Sequence, residues 1–87
     1  MVRVIIPAAL REFCAGAAKL DVPAGTVESV LRELDGRCPG FYARVVEEGR
    51  LRPELAFALN GEVYRLALHD LLAPDTELAI VPALGGG

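Results

Sequence analysis

Several residue groupings that common chemistries require are missing from this chain. It has a single histidine, His69, with no cluster of His, Cys and Glu at ligand spacing, so neither a metal site nor a Ser-His catalytic pair is expected. No GxGxxG or P-loop pattern occurs, so no nucleotide or other cofactor is expected on this chain. Positive charge is also scarce: nine Lys and Arg stand against twelve Asp and Glu, giving a net charge of -3. A chain without a basic field cannot hold a phosphate backbone, which argues against nucleic acid as a partner. No apolar run approaches the roughly 18 residues of a membrane-spanning helix, and the first residues lack the basic-then-apolar order of a signal peptide. No membrane partner and a cytoplasmic location are therefore expected. The two cysteines, Cys14 and Cys38, are far apart in sequence and lack CxxC spacing, and the expectation for them is reduced, structural thiols.

What remains is an 87-residue chain, 53% hydrophobic and 24% charged, a globular composition with room for one modest core. No internal repeat or low-complexity linker interrupts it. "VRVIIP" (2–7) is a β-branched run with Val2, Val4 and Ile6 on one face and Arg3 and Ile5 on the other. "AKLDVPAG" (18–25) alternates Leu20 and Val22 before a proline turn and suits a strand that returns beside the first. "TVESVLRELDGRCPG" (26–40) gives the clearest helix. Thr26 is placed as its N-cap, Glu28 lies in the first turn, and Val27, Val30, Leu31 and Leu34 repeat at helical spacing. It should stop between Gly36 and Pro39, with glycine in the left-handed C-terminal position.

Residues 41–53 mix charge and apolar side chains, and the pattern predicts only a short helical turn and a loop. "ELAFALNGEVYRL" (54–66) carries two alternating runs, with Leu55, Phe57 and Leu59 inward on the first, joined at Asn60-Gly61, a pair suited to the positive φ angles of a tight turn; it reads as a strand and turn or as a hairpin. "HDLLAPDTELAIVP" (69–82) predicts a short helical segment, a Pro-Asp turn and a final strand with Leu78 and Ile80 on one face. One helix can cover only one face of a sheet, so the order β, β, helix and two or three further strands predicts an α+β fold, a mixed sheet on one main helix. This is the β-grasp, or ubiquitin-like, architecture.

The last strand runs into "VPALGGG" (81–87), three glycines that cannot contribute to a core. The expected division is a β-grasp domain over 1–84 and a glycine tail over 85–87. Read in order, "VRVIIPAALREFCAG", "TVESVLREL", "ALNGE", "DTELAIVPA" and the terminal glycines resemble the ubiquitin-like sulfur carriers of the ThiS/MoaD family along the whole chain. The resemblance implies that the reactive group is the carboxylate of Gly87. An E1-like adenylyltransferase of the MoeB/ThiF type would activate it with ATP bound on that enzyme, and a sulfur donor would convert the acyl-adenylate to a thiocarboxylate. The chain would then be a carrier, not an enzyme, delivering sulfur to a downstream synthase or other sulfur-accepting enzyme. Three branches are open: the small subunit of molybdopterin synthase, delivery for cysteine or secondary metabolites (whose "PAVAGG"-like ending resembles "PALGGG"), and thiazole formation for thiamine.

Glycine suits such a tail because the absence of a Cβ lets Gly85, Gly86 and Gly87 pass through a narrow channel and take backbone angles closed to other residues. At 3.3 to 3.6 Å per extended residue, three of them project about 10 Å. Leu84 beside them is a candidate anchor in the partner's channel. Ile5, Ala56, Ala58, Ala79 and Val81 fall on the off-core face of three strands, where small side chains would leave a flat, mildly apolar surface for a protein partner. Strand propensity alone, or cover by the 41–53 loop, accounts for them equally. Glu47, Glu48, Asp75 and Glu77 read as a solvated face or as partners for a basic enzyme surface, and Arg11, Arg50 and Arg52 are similarly open. Two other classes fit the same sequence: a ubiquitin-like modifier joined through Gly87 to lysines, and a β-grasp interaction module whose tail has no chemistry.

Overall fold

In the computed structural model, which describes residues 1–82, the elements follow the chain as β1 (Val2–Ile5), a 3₁₀ helix (Ala8–Cys14), β2 (Lys19–Val22), β3 (Gly25–Thr26) and α1 (Val27–Arg37). After these come α2 (Phe41–Val45), β4 (Val46–Glu47), β5 (Arg50–Leu51), β6 (Leu55–Leu59), β7 (Glu62–Tyr64), β8 (Leu71–Leu72) and β9 (Glu77–Pro82). The main sheet has the order β2-β1-β9-β6-β7, with β1 and β9 parallel and the other neighbours antiparallel. Two small ribbons, β3-β8 and β4-β5, lie outside it. This is the expected β-grasp, a mixed sheet packed on one main helix.

The alternation read in the first strand sets its pairing. Val2, Val4 and Ile6 are all fully buried, and β2 returns antiparallel with Val2 opposite Val22 and Val4 opposite Leu20. A one-residue slip would turn the whole apolar set toward water, which is why the pattern specifies the register. Against this face packs α1, whose Val27, Val30, Leu31 and Leu34 are fully buried. Its N-cap is Thr26, whose hydroxyl accepts a hydrogen bond from the Ser29 N–H at 3.1 Å. Phe41 and Val45 of α2, with Leu78 and Ile80 of β9 and Phe57 of β6, complete the core.

Four expectations need correction. The chain from 69 is not helical: Leu71 and Leu72 form β8 and pair with Thr26 and Gly25. The reason lies in the first turn of α1, whose amides have no partner within the helix. Val27 N–H donates to the Asp70 carbonyl and Glu28 N–H to the Leu68 carbonyl, both at 2.9 Å. An extended segment can present those carbonyls outward, whereas a helix would use them internally. The second correction concerns Gly36, which remains inside α1; the left-handed glycine is Gly40, with φ +93°, at the start of α2.

Third, residues 46–51 are not a plain loop but the β4-β5 ribbon, turned by Glu48 and Gly49 at φ +53° and +74°. Fourth, Cys14 and Cys38 are not separate thiols. They form a disulfide with their Cα atoms 4.5 Å apart, joining the end of the 3₁₀ helix to the C-cap of α1. Folding brings together two cysteines that their spacing of 24 residues leaves unrelated.

Candidate functional site

The face of the sheet away from α1 gathers the residues singled out for a partner surface. Cross-strand neighbours share a face, so the registers can be followed across it. Ile5 pairs with Ala79, Ala79 with Ala58, and Ala58 with Val63, giving one row from β1 through β9 and β6 to β7. Val81 pairs with Ala56 in the next row. All five predicted residues, Ile5, Ala56, Ala58, Ala79 and Val81, therefore lie in two adjacent rows.

Val63 completes the first row and is the residue that sequence reasoning missed. Its exposure is 72%, and that of Val81 is 41%, so both valines are open to solvent, while Leu51, Arg52 and Pro53 of the 41–53 segment border the face beside Ala56 and Val63. A signal for Val63 existed: a two-residue turn at Asn60-Gly61, with φ +49° and +89°, fixes Leu59 opposite Glu62 and hence Ala58 opposite Val63. The alanines between the two valines are half-buried, and Ala56 and Val63 also line an open cavity with Leu51, Arg52 and Pro53.

Polarity changes along the strands. One step back from Ile5 on the same face, Arg3 sits opposite Asp21 on one side and Glu77 on the other. Arg3 Nε donates to Asp21 Oδ1 at 3.1 Å. That hydrogen bond holds the Asp21 carboxyl below its ordinary range and raises the Arg3 guanidinium above its own. Both groups are exposed, so the pair marks the polar margin of the face more than it stabilises the fold. Since β9 runs from Glu77 to Pro82, its charged start lies at this margin and its apolar half lies at the end from which the chain continues to residue 83. The apolar rows and the root of the tail share one end of the sheet.

Leu84, Gly85, Gly86 and Gly87 lie outside the described residues. The other residues weighed earlier have local roles. Arg52 binds Glu47 at 2.7 Å, Glu54 at 3.5 Å and the Ala43 carbonyl at 3.1 Å, tying the β4-β5 ribbon to α2. Arg11 donates to the Ile6 carbonyl at 3.0 Å. His69 is exposed, with its Nε2 3.8 Å from Asp70 Oδ1. Among the described residues no group of three or more His, Cys, Asp and Glu converges as a metal would require, and no helix is long and apolar enough to cross a membrane.

The comparisons with known proteins agree with this geometry. The profile described as "ThiS family" matches residues 4–87. A chain in the crystal structure of the Amycolatopsis orientalis BexX/CysO complex superposes with a TM-score of 0.90 at 29% identity, covering 100% of both chains. Mycobacterium tuberculosis CysO superposes at 0.88 with 25% identity, over 97% of this chain and 100% of that one. The Haloferax volcanii small archaeal modifier protein 1 gives 0.71 at 31% identity, over 95% and 97%. No curated protein sequence matches. With the β-grasp sheet in place and the family profile spanning all but the first three residues, this chain belongs to the ThiS family.

Proposed function

We propose that this ThiS-family protein is a sulfur carrier whose Gly87 carboxylate is the working group. The observation that carries the proposal is the common end shared by the apolar sheet rows and the root of the 83–87 segment. A partner that grips Ile5, Ala56, Ala58, Ala79, Val63 and Val81 stands where the chain leaves β9, with Gly87, Gly86 and Gly85 entering its channel first and Leu84 anchoring behind them. A carboxylate is a poor electrophile. Adenylation on an E1-like, MoeB/ThiF-type enzyme releases pyrophosphate and makes AMP the leaving group; sulfide furnished by a sulfur donor then attacks the carbonyl carbon, the C–S bond forms as the C–O bond to AMP breaks, and a thiocarboxylate is left on Gly87. ATP belongs to the partner's site, so the chain is a co-substrate and not an enzyme.

Among the three branches, delivery for cysteine or secondary metabolites is favoured over the molybdopterin-synthase and thiamine roles. Full-length likeness to the CysO chains and the "PALGGG" ending support it. The BexX/CysO complex further supports a downstream enzyme that receives the carrier by direct docking. A cytoplasmic location goes with this reading, because the activating enzyme needs ATP.

Likeness to the small archaeal modifier protein supports a second reading, in which Gly87 is joined to lysine amines. Both readings require the adenylate and part after it. The test is ATP-pyrophosphate exchange by an E1-like enzyme, followed by the fate of the activated chain. Exchange should appear with the full chain and vanish when Gly87 is deleted. A thiocarboxylate formed at Gly87 with sulfur from the donor supports the carrier, whereas isopeptide bonds to lysine support the modifier. Equal exchange with and without Gly87 contradicts both.

A further inference from the structure

The Cys14–Cys38 bridge joins two halves held with unequal strength. Cys38 caps α1, a helix anchored by four fully buried side chains, and its own N–H donates to the Leu34 carbonyl at 2.7 Å. Cys14 ends a seven-residue 3₁₀ helix, longer than the three or four residues such helices usually sustain, and it is the only buried residue in that helix. No side chain caps the start of the segment, and it ends in left-handed Ala15 and Gly16, at φ +54° and +84°. Its other ties are modest. Leu10 and Phe13 are partly buried, Arg44 lies over the Phe13 ring, and Arg11 bonds the Ile6 carbonyl.

We propose that this bridge is a redox latch: a dithiol reductant opens it and frees residues 8–18, while the five-stranded sheet and α1 keep their structure. Both cysteines are buried, so the attack follows local opening of the 3₁₀ segment that carries Cys14, and Cys14 Sγ is the sulfur this opening presents. A reductant thiolate bonds to Cys14 Sγ and the Sγ–Sγ bond breaks. Cys38 leaves as a thiolate and takes a proton. The reductant's second thiol then displaces Cys14, so two electrons and two protons pass from dithiol to bridge and the reductant becomes a disulfide. Compartments kept reducing by thiols oppose such bridges, so a carrier working there meets this reaction continually. Residues 8–18 connect β1 to β2, whose paired Ile5 and Lys19 form one rim of the apolar face, so opening alters the rim a partner meets. The latch itself does not depend on the carrier reading.

The test is a short deuterium pulse on the full chain with and without dithiothreitol, read peptide by peptide, beside a thiol count and a thermal melt. The protein as isolated in air should show no free thiol. After reduction, amides of 8–18 should label at least tenfold faster, while β1, β6 and β9 stay unlabelled on the pulse timescale and the melt stays cooperative. A Cys14→Ala/Cys38→Ala variant should show the same pattern without reductant. Two free thiols before reduction, unchanged labelling of 8–18, faster labelling of sheet and segment alike, or loss of the cooperative melt on reduction would each overturn the latch.

Discussion

Ala58 lies directly opposite Ala79 across β6 and β9, in an apolar row of four strands that runs from Ile5 to Val63, with Lys19 of β2 beyond Ile5. Two methyl side chains at the centre of a four-strand row let another protein approach the sheet closely. The same small side chains contribute little to the core, which lies on the opposite face.

That separation makes recognition and stability independently testable. Ala58→Arg places a long cation in the middle of the apolar floor, where it would meet a partner but no core residue. Binding to an E1-like enzyme should weaken at least tenfold, about 1.4 kcal/mol. Stability should change by no more than about 1 kcal/mol, because Ala58 is half-buried but lies on the face away from the core. Titration calorimetry and a denaturant curve on the same preparation check the two halves.

The opposite face should respond in the reverse sense. Phe41 and Leu31 are fully buried against the sheet. Phe41→Ala should cost about 3 to 5 kcal/mol and Leu31→Ala about 2 to 5 kcal/mol, the sum of lost burial and a residual cavity. Urea unfolding measures these values directly, and a protein that remains folded should bind its partner with unchanged affinity.

The disulfide closes a long loop and so restricts the unfolded chain. For a separation of 24 residues the chain-entropy account gives about 3 kcal/mol. A domain of this size loses roughly 4 to 8 °C in Tm for each kcal/mol, so reduction should lower the melting temperature by more than about 10 °C. Scanning calorimetry with and without reductant checks this, and equal melting temperatures would contradict it.

A hydrogen-bonded cluster joins the two helices and predicts a pH response. The Tyr42 hydroxyl donates to Glu28 Oε1, Arg32 Nε donates to Glu28 Oε2 at 3.2 Å, and the Arg32 guanidinium lies 4.0 Å from the Tyr42 ring centre. The Tyr42 hydroxyl, followed by Arg32, lowers the Glu28 carboxyl from its ordinary 4.5, and the bond to Glu28 raises Tyr42 from 10.0. For Glu28 the folded state favours the ionised form, so its contribution is complete above pH 4.5 and is lost as pH falls through the lower folded value. For Tyr42 the folded state favours the protonated form, so its contribution is complete below pH 10.0 and is lost as pH rises through the higher folded value. Tyr42→Phe should cost less than about 1 kcal/mol at neutral pH, because Glu28 is partly solvated. It should also flatten the stability profile at both ends, measured by urea unfolding from pH 3 to pH 11.

Where the pattern was periodic, it was legible in the sequence. The alternation of Val2, Val4 and Ile6, the 3.6-residue repeat from Val27 to Leu34 and the Asn60-Gly61 turn all form the elements they predict, because each satisfies a local rule that the core also rewards. "HDLL" reads as helical by composition, yet it becomes β8 because the first amides of α1 need carbonyls that only a distant segment supplies. Glu48 sits in a left-handed turn that few glutamates adopt, so the β4-β5 ribbon gave no signal beyond Gly49. The meeting of Cys14 and Cys38 depends on how the 3₁₀ helix packs on the end of α1, a tertiary relationship that spacing does not encode. That Ile5, Ala56, Ala58, Ala79 and Val81 share the face away from the core was legible through strand alternation, and Val63 joins their row through the register that the Asn60-Gly61 turn sets in a short, wholly exposed strand.

Intact mass after incubation with an E1-like adenylyltransferase, ATP and a sulfur donor tests the central claim most directly. The account predicts a gain equal to the difference between sulfur and oxygen, located on Gly87 by fragmentation and absent when Gly87 is deleted. An unchanged mass, with the same enzyme and donor shown to convert another carrier, would contradict it.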